Sequence, residues 1–176
     1  MSELVAAHPR SREQVEVYSF SWPVAILTPL LAIFLQAFIP IKLRFFDVFD
    51  LPLLVTIYFA MSRRNPITGL LQGSIIGLVQ DSLTRDMIGM YGIAKTLVGF
   101  AASQLGGKID SDNPGSRILI ILTFYLGHQA AYFAVARGLV RQPIDWHWAH
   151  ELLGAVANAL LGVVLFAVLD RFRQRA

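Results

Sequence analysis

The chain has 176 residues, 55% apolar and only 15% charged, with 15 Lys plus Arg against 12 Asp plus Glu and no cysteine. A soluble domain carries about 25% charged residues; here the charges gather in short clusters between long apolar runs, the pattern of a membrane protein. The basic excess lies at the ends of apolar segments and forms no single stripe, which argues against a nucleic-acid partner, and the lack of cysteine excludes disulfides, thiolate metal sites and thiol nucleophiles.

Residues 1–20 are mostly polar, with Glu3, Glu13 and Glu16, and are read as a cytoplasmic N-terminal segment. They precede a six-helix transmembrane domain over 21–170 and a basic cytoplasmic tail over 171–176. A span needs about 20 mostly apolar residues, and six segments qualify. The first, 22–40, is free of charge and lacks an Ala-x-Ala-like cleavage site, so it is read as a retained helix. The second, 51–61, is short: either 45–50 enters the interface and the segment spans, or it is a half-buried or re-entrant helix. The third, 66–83, opens on a proline suited to a first helical turn. The fourth, 88–105, follows a short polar turn at Thr84, Arg85 and Asp86. The fifth, 118–139, holds His128, Gln129 and Arg137, and 149–169 closes the chain. The stretch 106–116 is the one obvious loop of any length. No second domain and no repeat of three-helix halves is visible. The predicted fold is an all-α membrane protein, a bundle of about six transmembrane helices.

Orientation follows from the distribution of Lys and Arg in short loops. With a cytoplasmic N-terminus, nine basic residues lie inside (Arg10, Arg12, Arg63, Arg64, Lys108, Arg117, Arg171, Arg173, Arg175) and five outside (Lys42, Arg44, Arg85, Arg137, Arg141). Both termini are therefore placed in the cytoplasm, with Trp22, Trp146 and Trp148 where an aromatic belt belongs.

Two stripes of small residues stand out. Gly69, Gly73 and Gly77, continued by Asp81, recur every four residues on the third span, and Gly92, Thr96, Gly99, Ser103 and Gly106 form a comparable face on the fourth. Such faces let helix backbones approach closely. They serve either to close the hairpin of these two spans or to dock a partner's helix. Asp81 and Lys95 are the charges expected at membrane depth, where a lone one costs about 2.5–3.5 kcal/mol. Either they pair across the hairpin, or Asp81 is interfacial and Lys95 reaches the surface alone. Tyr125, His128, Gln129 and Tyr132 give the fifth span a polar side, and Gly154, Asn158 and Gly162 mark the sixth; these read as interhelical hydrogen-bonding and packing groups. His147 and His150, three apart beside Asp145 and Glu151, are read as interfacial, and no cofactor, metal or catalytic residue is assigned. The arginines at 171, 173 and 175 read as a stop-transfer and anionic-lipid anchor.

The run Gly69, Gly73, Gly77, Gln80, Asp81, followed across a short turn by Gly89, Gly92, Lys95, Thr96 and Gly99, resembles the rod shape-determining protein MreD family, most closely over 53–105. The resemblance implies a non-enzymatic subunit of the bacterial cell-elongation machinery in the inner membrane. It implies binding to the single-span protein MreC and, through the complex, a link between MreB filaments and the synthase pair RodA and a class B penicillin-binding protein. Those ten residues are then partner-binding or helix-packing positions, while Arg63, Arg64 and the tail meet anionic lipid or the filament system. Residues 1–19 are longer than the resemblance calls for, and either stay disordered or fold on a cytoplasmic partner. The rival reading is the vitamin-binding S-component of an energy-coupling-factor transporter, also a small six-span protein, whose helix arrangement the MreD family resembles. It calls for an Ala-x-x-x-Ala contact on the first span. Ala25, Ala32 and Ala37 lack that spacing, whereas Ala155 and Ala159 have it on the last span. A lipid-processing enzyme is a third reading, with the region of His147 and His150 as its only candidate centre.

Overall fold

The structure is a computed structural model that describes residues 18–84, 87–109, 113–141, 143 and 145–175. The first 17 residues, with Arg10 and Arg12, and the turn residues Arg85 and Asp86 lie outside the described residues.

Six helices follow in chain order: α1 (Trp22–Lys42), α2 (Leu51–Arg63), α3 (Pro66–Thr84), α4 (Met90–Leu105), α5 (Pro114–Gly138) and α6 (Trp148–Asp170). Four stretches are long and apolar enough to cross a membrane: α1, α2 with the turn before it, α5 and α6. The other two fall short for a visible reason. Helix α4 has 16 residues, and α3 has its apolarity diluted by three glycines, two glutamines and Asp81. This is an all-α membrane fold with two less apolar helices packed among more apolar ones.

Short polar signals set the boundaries. Asn113 accepts from the Gly115 N–H at 2.8 Å, and Pro114 supplies the first helical residue; α5 thus starts inside the expected 106–116 loop. Helix α2 ends at Arg64 in the left-handed conformation. One residue later the Asn65 side chain caps α3 through the N–H groups of Ile67 and Thr68 at 3.0 and 3.2 Å, so two residues suffice for the turn. Gly89 holds φ +107°, a region closed to most side chains, and α4 accordingly begins at Met90, two residues later than the apolar pattern suggests.

The segment with the most uncertain sequence reading is the centre of the molecule. Helix α2 is buried from Leu51 through Ser62 and touches every other helix. Its 13 residues reach only about 20 Å at 1.5 Å per residue, less than the roughly 30 Å hydrocarbon core. With the 3-10 turn Arg44–Val48 before it the stretch is long and apolar enough to cross, and α2 itself begins within the bundle. Helix α1 is peripheral, with Leu27, Leu30, Leu31 and Phe34 all exposed. A two-residue backbone pairing of Tyr18–Ser19 with Gln174–Arg175 brings the two ends of the described chain together, and Phe20 packs its ring on Phe59 at 4.7 Å beside it.

Candidate functional site

The α3 and α4 helices share the most extensive contact in the bundle, and glycine makes it possible. A Cβ on Gly69 would fall on the carbonyl of Gly99, one on Gly73 on the carbonyl of Lys95, and one on Gly77 on the carbonyl of Tyr91. From the other side, a Cβ on Gly99 would strike the carbonyl of Gly69, while one on Gly92 would crowd Leu78. Backbone meets backbone along the whole pair. Thr96 turns its hydroxyl to the Gly92 carbonyl at 2.6 Å, so its polar group stays within its own helix.

Asp81 closes the hairpin. Its carboxylate accepts from the N–H groups of Gly89, Tyr91 and Gly92 at 2.8, 3.0 and 3.1 Å. Gly89, the cap residue of α4, has no side chain with which to satisfy these donors, and an anion at a helix N-terminus also meets the positive end of its dipole. Asp81 thus caps α4 from α3. Gln80 beside it is buried, and its Oε1 has no partner among the described residues.

Lys95 does not pair with Asp81. With Asp81 occupied by three backbone donors, the buried ammonium turns to Asp50, at 2.7 Å from Oδ2, and to His128 Nε2 at 3.2 Å. It also lies 4.7 Å from the centroid of the Tyr91 ring. An ammonium only donates, so His128 Nε2 accepts and its proton sits on Nδ1, which donates to Gln129 Oε1 at 3.1 Å. Gln129 passes the chain on to Glu151 at 2.8 Å. Asp50 Oδ1 meanwhile caps α2 through Leu53 N–H at 2.9 Å. Asn158 accepts from the Asp50 N–H and donates to the Val48 carbonyl, both at 2.8 Å, and Gln36 accepts from the Leu51 N–H at 3.1 Å. One network therefore ties α1, α2, α4, α5 and α6 together where α2 begins. A charge at the start of a buried helix is tolerable in lipid because it is paired and hydrogen-bonded within the protein.

A second polar cluster lies beside the paired chain ends. Asp170 accepts from Arg117 at 2.5 Å and from Tyr58 at 3.0 Å, and Arg173 lies 2.9 Å from it. His147 and His150 are exposed.

Of the ten residues singled out by motif, the six glycines and Asp81 build the α3 and α4 pair, Lys95 belongs to the buried network, and Thr96 and Gln80 lie within the hairpin. Asp50, Gln36 and Asp170 carry equal structural weight and were not singled out. Asp50 had a local signal, a carboxylate directly before Leu51 and Pro52 as at a helix N-cap; its partner Lys95 is 45 positions away and had none. The family model of rod shape-determining protein MreD matches residues 17–172. No curated protein and no solved structure matches the chain.

Proposed function

The chain belongs to the rod shape-determining protein MreD family, and from that premise we propose that it is a non-enzymatic scaffold of the cell-elongation complex in the bacterial inner membrane. It binds the single transmembrane helix of MreC and helps couple MreB filaments to peptidoglycan synthesis by RodA and a class B penicillin-binding protein. Both termini are cytoplasmic on this reading, in keeping with the pairing of residues 18–19 with 174–175 at one end of the bundle and with the count of basic residues.

The observation that carries the reading is the division of labour in α3 and α4. Their glycine faces are used up against each other, while Leu70, Ile93, Leu97 and Phe100 point outward and are exposed. These are also the two helices not apolar or long enough to cross alone. A rigid pair with an apolar outer face suits docking of a single helix, which gains by packing and a few polar contacts in lipid. Ala155 and Ala159, the spacing that a transporter's coupling subunit would read, are buried inside the bundle.

The test is a detergent pull-down of the tagged protein from its native membrane. Wild type is expected to recover MreC and the elongation synthase, and Leu97→Trp, which changes only an outward position, is expected to lose MreC while unfolding at the wild-type temperature. Recovery of an ATPase pair with its membrane coupling subunit would identify a transporter component and overturn the scaffold reading.

A further inference from the structure

We propose that the groove between α1 and α3 is a binding site for one anionic phospholipid, whose phosphate sits on Arg63 and one of whose acyl chains lies along the groove. The groove has a volume of about 590 Å³. Its walls are apolar along most of their length, with Pro29, Leu30 and Ile33 from α1 facing Leu71, Ile75 and Val79 from α3. The polar groups that line it are gathered toward one end, where α2 stops and α3 starts.

Arg63 stands at that end and makes no ion pair among the described residues. Arg64 next to it has a buried Nε with no partner, and Gln72, about two turns into α3, has a buried Oε1 with none. A cation with an unspent charge, at the mouth of an apolar slot, matches a phosphate above an acyl chain.

The reach and the lining of the groove suit an acyl chain. The α3 wall runs from Thr68 to Val79, about 16 Å at 1.5 Å per residue. That is close to half of the roughly 30 Å hydrocarbon core, the depth of one leaflet. A docked transmembrane helix gains most from small residues, whereas this groove is lined by large aliphatic side chains. The occupied leaflet is the one on the side of the paired chain ends.

The experiment is native mass spectrometry of the full chain released from vesicles of equal parts phosphatidylcholine and phosphatidylglycerol. Wild type is expected to retain one phosphatidylglycerol in preference to phosphatidylcholine. Arg63→Gln should cut that preference about fivefold, the effect expected of one basic residue at an anionic surface. Leu71→Trp, which fills the slot from an exposed position, should lose the retained lipid of either kind. Arg171→Gln, an exposed basic residue at the same end but outside the groove, should leave the preference intact. Undiminished preference in Arg63→Gln overturns the site, as does an equal loss in Arg171→Gln, which would indicate only a basic membrane face. Should Leu71→Trp fail to fold, Arg63→Gln against Arg171→Gln still decides. If wild type retains no phosphatidylglycerol the proposal fails, and loss of MreC by Leu71→Trp in the native-membrane pull-down would then assign the groove to a helix.

Discussion

The two polar clusters of the bundle are made of similar groups and differ in the exposure of their carboxylate and in redundancy. Where α2 begins, Lys95 has no side-chain exposure and Asp50 has 13%; beside the chain ends, Asp170 has 25%, Arg173 has 12% and Arg117 has 7%. The first site has one cation for its carboxylate, and the second has two arginines and a tyrosine hydroxyl on one carboxylate. Desolvation penalises an unpaired charge in proportion to its burial, and redundancy shields a site from the loss of one partner. The inner pair should therefore behave as an obligatory strut, and the outer cluster as a reinforced but replaceable clasp.

Substitutions can break that contrast or sharpen it. The largest effect is expected from Lys95→Met, which leaves Asp50 uncompensated and should cost about 3–5 kcal/mol in denaturant unfolding in micelles. Adding Asp50→Asn, which keeps an oxygen for the Leu53 N–H while removing the charge, should recover most of the loss. A Lys95→Met variant no less stable than Arg173→Gln would end the distinction. Next comes Gly73→Leu. Its side chain must displace the Lys95 carbonyl, and the expected loss is about 2–3 kcal/mol, less than additive with Lys95→Met because both disturb the placement of one residue. Asn158→Leu removes the partner of the Asp50 N–H and the Val48 carbonyl and should cost about 1–2 kcal/mol. The smallest effect belongs to Arg173→Gln, at most about 1 kcal/mol, shrinking as salt is raised from 0.05 to about 0.5 M, while the cost of Lys95→Met should hardly change over that range.

The same contrast explains what could be read in advance. Four-residue glycine spacing is a local property of one helix, so the flat faces of α3 and α4 were visible, as was the need for any charge at membrane depth to face protein or reach the interface. The identity of Lys95's partner was not. Asp81 is nearer in sequence, but three N–H groups at the start of α4 claim it, and that claim depends on Gly89 turning with φ +107°. Asp50 becomes available only because α2 starts inside the bundle instead of at its surface.

Sequence by itself thus determined the membrane class, the six helices and the close approach of the middle pair, since these follow from apolar length and from side chains that are missing. Tertiary structure alone decided that the short second helix is the core, that Asp81 is a cap and not a counter-ion, and that Lys95, Asp50 and His128 share one site. The reason is physical: in lipid every buried polar group must find a partner inside the protein, and which partner it finds depends on how the helices are arranged around α2, which no local pattern encodes.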